Sequence, residues 1–392
     1  MTNAHPTDES VYLDQAEASQ APKHGFFERL YTGTGGFPIV SRRKLFYGIA
    51  AALLLISILS IAVRGFTLGI DFAGGSRIQI PAADISTQQV EDVYAQTLGH
   101  GPVSVQKVGS GASATIQVRS ETLDAAQTEQ VQTALFEAFQ PKDSDGQVSR
   151  NAISIAEISE TWGGQITNKA LIALGVFVAL TMIYIAIRFE RDMSVAAIVS
   201  LFFNLIVTAG IYSLVGFEVT PAAVIGLLTI LGYVLYDNVV VFDKVEENTR
   251  GVLHLNKRTY AEQANLAANQ TLMRSISTTV IGILPIIGML VIAVWLLGVG
   301  TLKDLALVQL VGMIVGAYSS IFLAVPVLVS IKERWGPVAA HTKKVLAKRA
   351  AGPAARVPVG AAAGAPRGPR PSDAGAPRPG ARPSGKRHKR RN

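Results

Sequence analysis

The chain has 392 residues, of which 49% are hydrophobic and only 16% charged, whereas a soluble protein carries about a quarter charged residues. That shortfall, at a length that one soluble core rarely spans, points to segments buried in a bilayer. Cysteine is absent, which excludes disulfides and cysteine-ligated metal or iron–sulfur centres. The net charge of +8 averages two unlike parts. From Lys332 onward there are 16 Lys and Arg against two acids, Glu333 and Asp373, or +14, while the remainder has 20 bases against 26 acids, or −6.

In chain order, residues 1–44 are polar and irregular and read as a flexible segment, with Gly25–Tyr31 a candidate short interfacial helix. The first largely uncharged run is 45–63, bracketed by Lys44 and Arg64. It is not expected to be a cleaved signal peptide, because the segment before it is too long for a signal n-region and Ile61-Ala62-Val63 lacks a small-x-small site. Gly69-Ile70-Asp71-Phe72-Ala73-Gly74-Gly75 follows. Its spaced glycines permit positive φ and close backbone approach.

Residues 64–168 form the expected external domain, and Gly65–Gln165 carries 12 acids and five bases. Ser76–Ile80 alternates as a strand, and Ser86 and Gln89 stand at capping-box spacing before a helical stretch to Leu98. Val103–Val108 and Ala114–Arg119 alternate as strands around a Gly109-Ser110-Gly111 turn. Asp124–Phe139 reads helical, with Val131, Leu135, Phe136 and Phe139 on one face, and Ala152–Ile158 alternates again. The β-α-β-β-α-β order is that of a ferredoxin-like α+β domain.

Five further apolar runs follow at 169–188, 193–217, 219–242, 274–298 and 305–331. Each meets the roughly 20 residues needed to cross hydrocarbon, so the fold class is a six-span α-helical membrane protein with one external α+β domain. Pro285 and Pro326 lie inside spans, where proline is common. The loop 243–273 is predicted to carry a surface-lying helix at Tyr260–Ala268. Residues 332–392 read as a basic disordered tail, rich in Ala, Pro, Gly and Arg from Ala350 on. That tail suits attraction to anionic lipid, and its charge is also compatible with a weak ribosomal RNA contact.

Six spans place both termini on one side. Arg42, Arg43, Lys44, Arg188, Arg191, Lys244, Arg250, Lys257, Arg258, Arg274, Lys332 and Arg334 lie near span ends on that side, while the opposite short loops hold Lys303 and little else. The positive-inside rule therefore predicts cytoplasmic termini and loop 243–273, with the domain 64–168 outside.

Asp237 is the one acid within the apolar fourth run. It lies about 9 Å inward of Asp243 along a helix, too deep for a short side chain to snorkel. A carboxylate in hydrocarbon costs at least ~2.5 kcal/mol, so the group must find partners or stay neutral. A carboxyl that alternates between those conditions is a proton-binding site. Tyr233, Thr229 and Gly226 precede it at i−4, i−8 and i−11 and are expected on its face. Arg274 opens the fifth span, with Ser275 and Thr278 beside it. It reads equally as a cationic partner for Asp237 and as a topology-setting flanking base. No phosphate-binding loop, metal-ligand spacing, nucleophile elbow or dinucleotide fingerprint stands in a credible context. The chain is therefore not expected to be an enzyme or to hold a metal or cofactor, and its energy comes from an ion gradient or a partner.

These residues resemble a known family. Gly69–Gly75 is similar to the glycine signature after the first span of SecD and SecF proteins. Gly232–Asn248 resembles the SecF fourth-span block, and Asn269–Ser275 resembles the start of its fifth span. Val234, Tyr236 and Asn238 stand where that block commonly has Ser, Asn and Thr. The resemblance, over roughly residues 45–335, is to the RND-like SecD/SecF family of the bacterial Sec accessory complex. It implies a subunit in the bacterial inner membrane that pairs with SecD and associates with the SecYEG channel. It further implies use of the proton motive force to promote preprotein translocation. It assigns the proton relay to Asp237 and Arg274, with Thr229, Tyr233, Tyr236, Asn238 and Thr278 as the supporting polar face and Gly69, Asp71, Gly74 and Gly75 as the family glycine motif. An RND-type exporter of small molecules or lipids and a passive translocon scaffold are the alternatives. The external domain of about a hundred residues is small for the former.

Overall fold

The computed structural model describes residues 37–81, 85–143, 146–255, 257–298, 300–334 and 336–350. The Gly25–Tyr31 helix and the tail beyond 350 lie outside the described residues.

Six helical stretches are long and apolar enough to cross a membrane. The first is α1 (Arg43–Arg64). Thr67–Leu68 (β1) leads into the short helix α2 (Ile70–Ala73), after which the chain enters the external domain. That domain comprises β2 (Gly75–Pro81), α3 (Thr87–Leu98), β3 (Ser104–Val108), β4 (Thr115–Ser120), α4 (Ala125–Phe139) and β5 (Ser154–Ile158). The strand order β3-β4-β2-β5, antiparallel at every pairing, is the ferredoxin-like arrangement expected from the sequence. Capping boxes start both helices, Ser86 with Gln89 and Asp124 with Gln127, satisfying amide groups that a helix start leaves free. Alternation along β2 and β4 turns Ile78, Ile80, Ile116 and Val118 onto Val90, Tyr94, Val131 and Leu135 of the two helices.

The chain returns through α5 (Glu160–Arg188), α6 (Arg191–Val215), the short strand β6 (Glu218–Val219) and α7 (Pro221–Thr249). Strand β6 pairs in parallel with β1, Thr67 opposite Glu218, and so ties the exit of the first span to the turn between the third and fourth. Next come α8 (Tyr260–Gly288), continued by π-helical turns over Met289–Leu296, and α9 (Gly300–Tyr318), which passes through π-helical turns at Ser319–Ala324 into α10 (Val325–Arg334). Helix α11 (Gly336–Ala350) follows.

Three boundaries differ from the sequence reading. Helix α5 begins at Glu160, capped by the Ser159 hydroxyl, well before residue 169, so the second span stands on a helical stalk outside the apolar run. Tyr260–Ala268 is not a separate surface helix. The Thr259–Glu262 capping box starts α8 there, and no glycine or proline interrupts it before Gly282. Part of the tail read as disordered, 336–350, is helical, burying Val338, His341 and Val345, with His341 Nε2 2.5 Å from the Leu255 carbonyl.

The third and sixth spans form the centre, with more than half of their apolar stretches buried, whereas the second and fifth are mostly exposed. Small residues let the central helices close up. Gly226 faces Val308, Gly312 faces Ile230 and Gly316 faces Val234, so α7 and α9 meet through three glycines. Ser57 of α1 likewise seats against Gly210 of α6. On the predicted cytoplasmic side Arg188 binds Asp243 at 2.9 Å, Lys332 binds Glu190 at 2.6 Å, and Arg43 binds Glu333 at 3.1 Å.

Candidate functional site

Asp237 sits in the middle of this helical centre, 7% exposed. It lies on α7, whose start is fixed by Pro221 at the first helical position and by the Thr220 hydroxyl accepting from the Ala223 amide. Its Oδ1 accepts from Ser275 Oγ of α8 at 2.7 Å, and its Oδ2 accepts from Ser320 Oγ in the π-helical stretch of the sixth span. One carboxyl group therefore joins three spans. Both partners are neutral hydroxyls, which donate to a carboxylate and accept from a carboxylic acid.

Arg274 does not reach Asp237 in this arrangement. Consecutive helical residues point about 100° apart, so with Ser275 directed at the carboxyl, Arg274 swings to the exposed flank. There it donates to Tyr236 Oη at 3.3 Å. The fourth and fifth spans thus meet on two adjacent rungs, 236 with 274 and 237 with 275.

The proposed polar face divides likewise. Thr229 is exposed and donates to its own helix at Ile225 O, 2.9 Å. At i−8 the helical repeat has already turned it well off the Asp237 face, which corrects the sequence reading. Tyr233 keeps that face and packs with Ile230, Val234 and Met313, its hydroxyl buried and unpartnered among the described residues. Thr278 donates to the carbonyls of Arg274 and Ser275 at 3.0 Å. Asn238 is buried, and its Nδ2 donates to Ser200 Oγ of α6 at 3.4 Å.

Sequence reasoning missed the other half of this seam. Ser200, Asn204 and Thr208 occupy i, i+4 and i+8 of α6, and all are buried. Asn204 Nδ2 donates to Gly312 O at 3.0 Å, while Asn204 Oδ1, Thr208 Oγ1 and Asn238 Oδ1 are unpartnered among the described protein groups. Buried polar atoms normally find a partner, so a run of unsatisfied ones beside a carboxyl marks a polar seam through an apolar bundle. The signal was present in sequence as polar residues at helical spacing in the third span and as Ser319-Ser320 in the sixth. A search for charges passes over both.

The glycine motif lies elsewhere, at the base of the external domain. Gly74 and Gly75 have φ of +79° and +124°, and a Cβ on Gly75 would stand 2.5 Å from the Ser120 carbonyl. Gly69 donates its amide to Val219 O at 2.9 Å, and Asp71 pairs with Arg77 at 3.5 Å. The motif is a knuckle joining the first span, strand β2 and the foot of α5, remote from Asp237.

Comparisons with known proteins agree with this architecture. The family profile described as protein export membrane protein SecD/SecF, C-terminal, matches residues 140–334, and the SecD/SecF GG motif matches residues 59–83. The chain is 60% identical to protein translocase subunit SecF of Mycobacterium tuberculosis over 335 residues, covering 86% of this chain and 76% of that one. It is 30% identical to protein translocase subunit SecDF of Bacillus subtilis, covering 75% of this chain and 38% of that longer one. Among solved structures, SecDF from Thermus thermophilus, a translocon-associated membrane protein, superposes with a TM-score of 0.63 at 27% identity, over 83% of this chain and 42% of that one.

Proposed function

The chain belongs to the SecD/SecF family of protein-export membrane proteins, and on that premise we propose that it is the half of a two-part, proton-driven motor in which Asp237 binds and releases the proton. It is a multi-pass membrane subunit of the Sec protein-export machinery, a translocase component rather than an enzyme.

The observation that carries the proposal is the double hydroxyl cradle of Asp237. A fixed cation would hold the carboxylate ionised, whereas Ser275 and Ser320 serve either protonation state, both donating to the carboxylate and one of them accepting from the single O–H of the neutral acid. Protonating one carboxyl oxygen turns the hydroxyl facing it from donor to acceptor and removes the charge that held both, which loosens α8 and the sixth span against α7. Arg274, one residue from Ser275, is the cation that such a shift brings toward the carboxyl to eject its proton. The unsatisfied amide and hydroxyl oxygens along α6 and α7 supply the polar surroundings that a proton path needs. The proton gradient is the energy source, without a cofactor.

The exposed strip Thr229, Tyr236 and Arg274 supports pairing with a second six-span chain. Polar groups at membrane depth are covered by protein rather than lipid. A SecD-type partner supplies that cover, the pair works beside the SecYEG channel, and translocating preproteins are its substrate. We place the chain in the bacterial inner membrane with both termini cytoplasmic, by the distribution of Lys and Arg. The basic tail attracts anionic membrane lipid, with a ribosome contact a weaker second role.

The test is Asp237→Asn in the assembled complex, reconstituted with the channel in vesicles under an imposed proton gradient. Gradient-driven export stimulation and proton flux are both lost while co-purification with the partner is retained. Normal export by Asp237→Asn refutes the proposal.

A further inference from the structure

The external domain is covalently attached to the membrane part through α1 and α5. Neither helix supplies a hydrogen bond to Asp237, whose partners lie on the fifth and sixth spans. A second connection runs to those two spans. The turn of the β3–β4 hairpin reaches down onto the loop that joins them. Ser110 Oγ donates to the Trp295 carbonyl at 3.0 Å, and Ser113 Oγ donates to the carbonyl of Leu296. Trp295 and Leu296 end the fifth span, where a helix leaves its last carbonyls without partners. The external domain therefore caps that span. On the other side of the loop, Lys303 Nζ of the sixth span donates to Gln106 Oε1 of β3 at 2.8 Å. Beside it, Arg119 of β4 lies 3.7 Å from Glu218.

The backbone is shaped for this contact. Gly109 and Gly298 have φ of +85° and +72°. A Cβ on Gly109 would lie 2.7 Å from the Ser113 carbonyl and 3.0 Å from Gly298 Cα, and one on Gly298 would run into that same carbonyl. Two closely apposed glycine backbones, backed by the Ser110 and Ser113 links from the turn and the Gln106 link from β3, form a close joint rather than a loose apposition.

We propose that the β3–β4 turn and the turn between the fifth and sixth spans move as one rigid joint, through which displacement of the two helices that hold Asp237 is passed to the external domain. Ser110, Ser113, Gly109, Gly298, Gln106 and Lys303 are its positioning residues. The proposal rests on the reading of Asp237 as the proton site and adds the route by which that site moves the head. Both helices have the irregularity such a route requires. π-helical turns over Met289–Leu296 lie directly below the joint, and those at Ser319–Ala324 contain Ser320 itself. π-helical turns interrupt the regular hydrogen-bond ladder and recur at functional positions. Ser275 and Trp295 are about 30 Å apart along the fifth span, so a tilt at the carboxyl arrives at the joint as a displacement of the cap.

The experiment uses the full complex, with the chain's lack of cysteine making introduced thiols unambiguous. Gly298→Val wedges the joint open, and Ser110→Ala with Ser113→Ala removes the caps. Each is expected to leave partner co-purification and gradient-driven proton flux unchanged while export stimulation falls at least roughly fivefold, the lower range of a site-to-site coupling. Lys303→Met should lose part of the stimulation, and Lys303→Arg should restore it. Conversely, Ser110→Cys with Leu297→Cys, once closed by a short bis-maleimide, should export no less than the same variant left unclosed, because a rigid joint never opens. Normal export by both opened variants overturns the proposal, as does loss of export on closing the tether. Loss of proton flux in the opened variants also overturns it, since the contact then merely supports the proton site. Export that survives Asp237→Asn marks failure of the proton-site reading instead. Normal export by the opened variants beside an inactive Asp237→Asn marks failure of the joint alone.

Discussion

The external domain and the helical centre bury their polar groups in opposite ways. In the external domain the core is a layer of Ile, Val and Leu with one buried tyrosine, Tyr94, between a sheet and two helices, and Ser76, buried beside it, accepts from the Leu123 amide at 3.2 Å. In the centre of the membrane part, Ser200, Asn204, Thr208, Asp237, Asn238, Ser319 and Ser320 are all buried, and several of their oxygens have no partner among the described residues. Close packing that is almost wholly apolar specifies one arrangement. A polar seam with spare acceptors tolerates more than one pairing and is costly unless it is used. The first region is built to be carried as a rigid body, the second to change.

The sharpest way to break this contrast is Asp237→Asn. It should abolish gradient-driven export stimulation, read as the difference in preprotein translocation with and without an imposed proton gradient, while leaving assembly intact. In the external domain an equally small change should act on folding alone. Leu135→Ala, at a fully buried site, should cost about 2–5 kcal/mol and lower the thermal unfolding midpoint of the full chain in detergent. Ser275→Ala sharpens the comparison from the membrane side. Loss of one hydrogen bond to a buried carboxylate is worth about 1.5–3 kcal/mol of stability, so the thermal unfolding midpoint should fall modestly while proton flux drops roughly tenfold or more. Arg188→Ala sets the baseline. The Arg188–Asp243 pair is 44% exposed on both sides, and its loss should shift stability by less than about 0.5 kcal/mol and leave flux alone.

Much of this was legible in the residues, for physical reasons that differ by region. Period-two alternation in Ser76–Ile80 and Ala114–Arg119, together with the Ser86 and Asp124 caps, gave the external fold, because each signal is local. The spans were visible as uncharged runs, and Asp237 stood out because a charge among apolar residues is conspicuous. Their ends were less legible. Glu160–Asn168 is polar and helical, so hydropathy placed the start of the second span too late. Burial inside the bundle was least legible, since a span apolar on every side does not reveal which face meets protein. That is why Ser320 and Asn204 were missed and Thr229 was placed on the wrong flank. It is also why the residues left open whether Arg274 meets Asp237, where its neighbour Ser275 makes the bond. The hairpin contact with Trp295 and Leu296 joins segments far apart in sequence and carries no local pattern.

The central claim is that the Asp237 carboxyl changes protonation during turnover. Infrared difference spectroscopy on the complex in vesicles, with aspartate isotopically labelled, measures this directly. When a proton gradient is imposed on working complexes, a carboxylic-acid C=O band should appear or disappear, shift with the label and be absent in Asp237→Asn. A spectrum in which no such band responds to the gradient, in complexes that still export, would contradict the account.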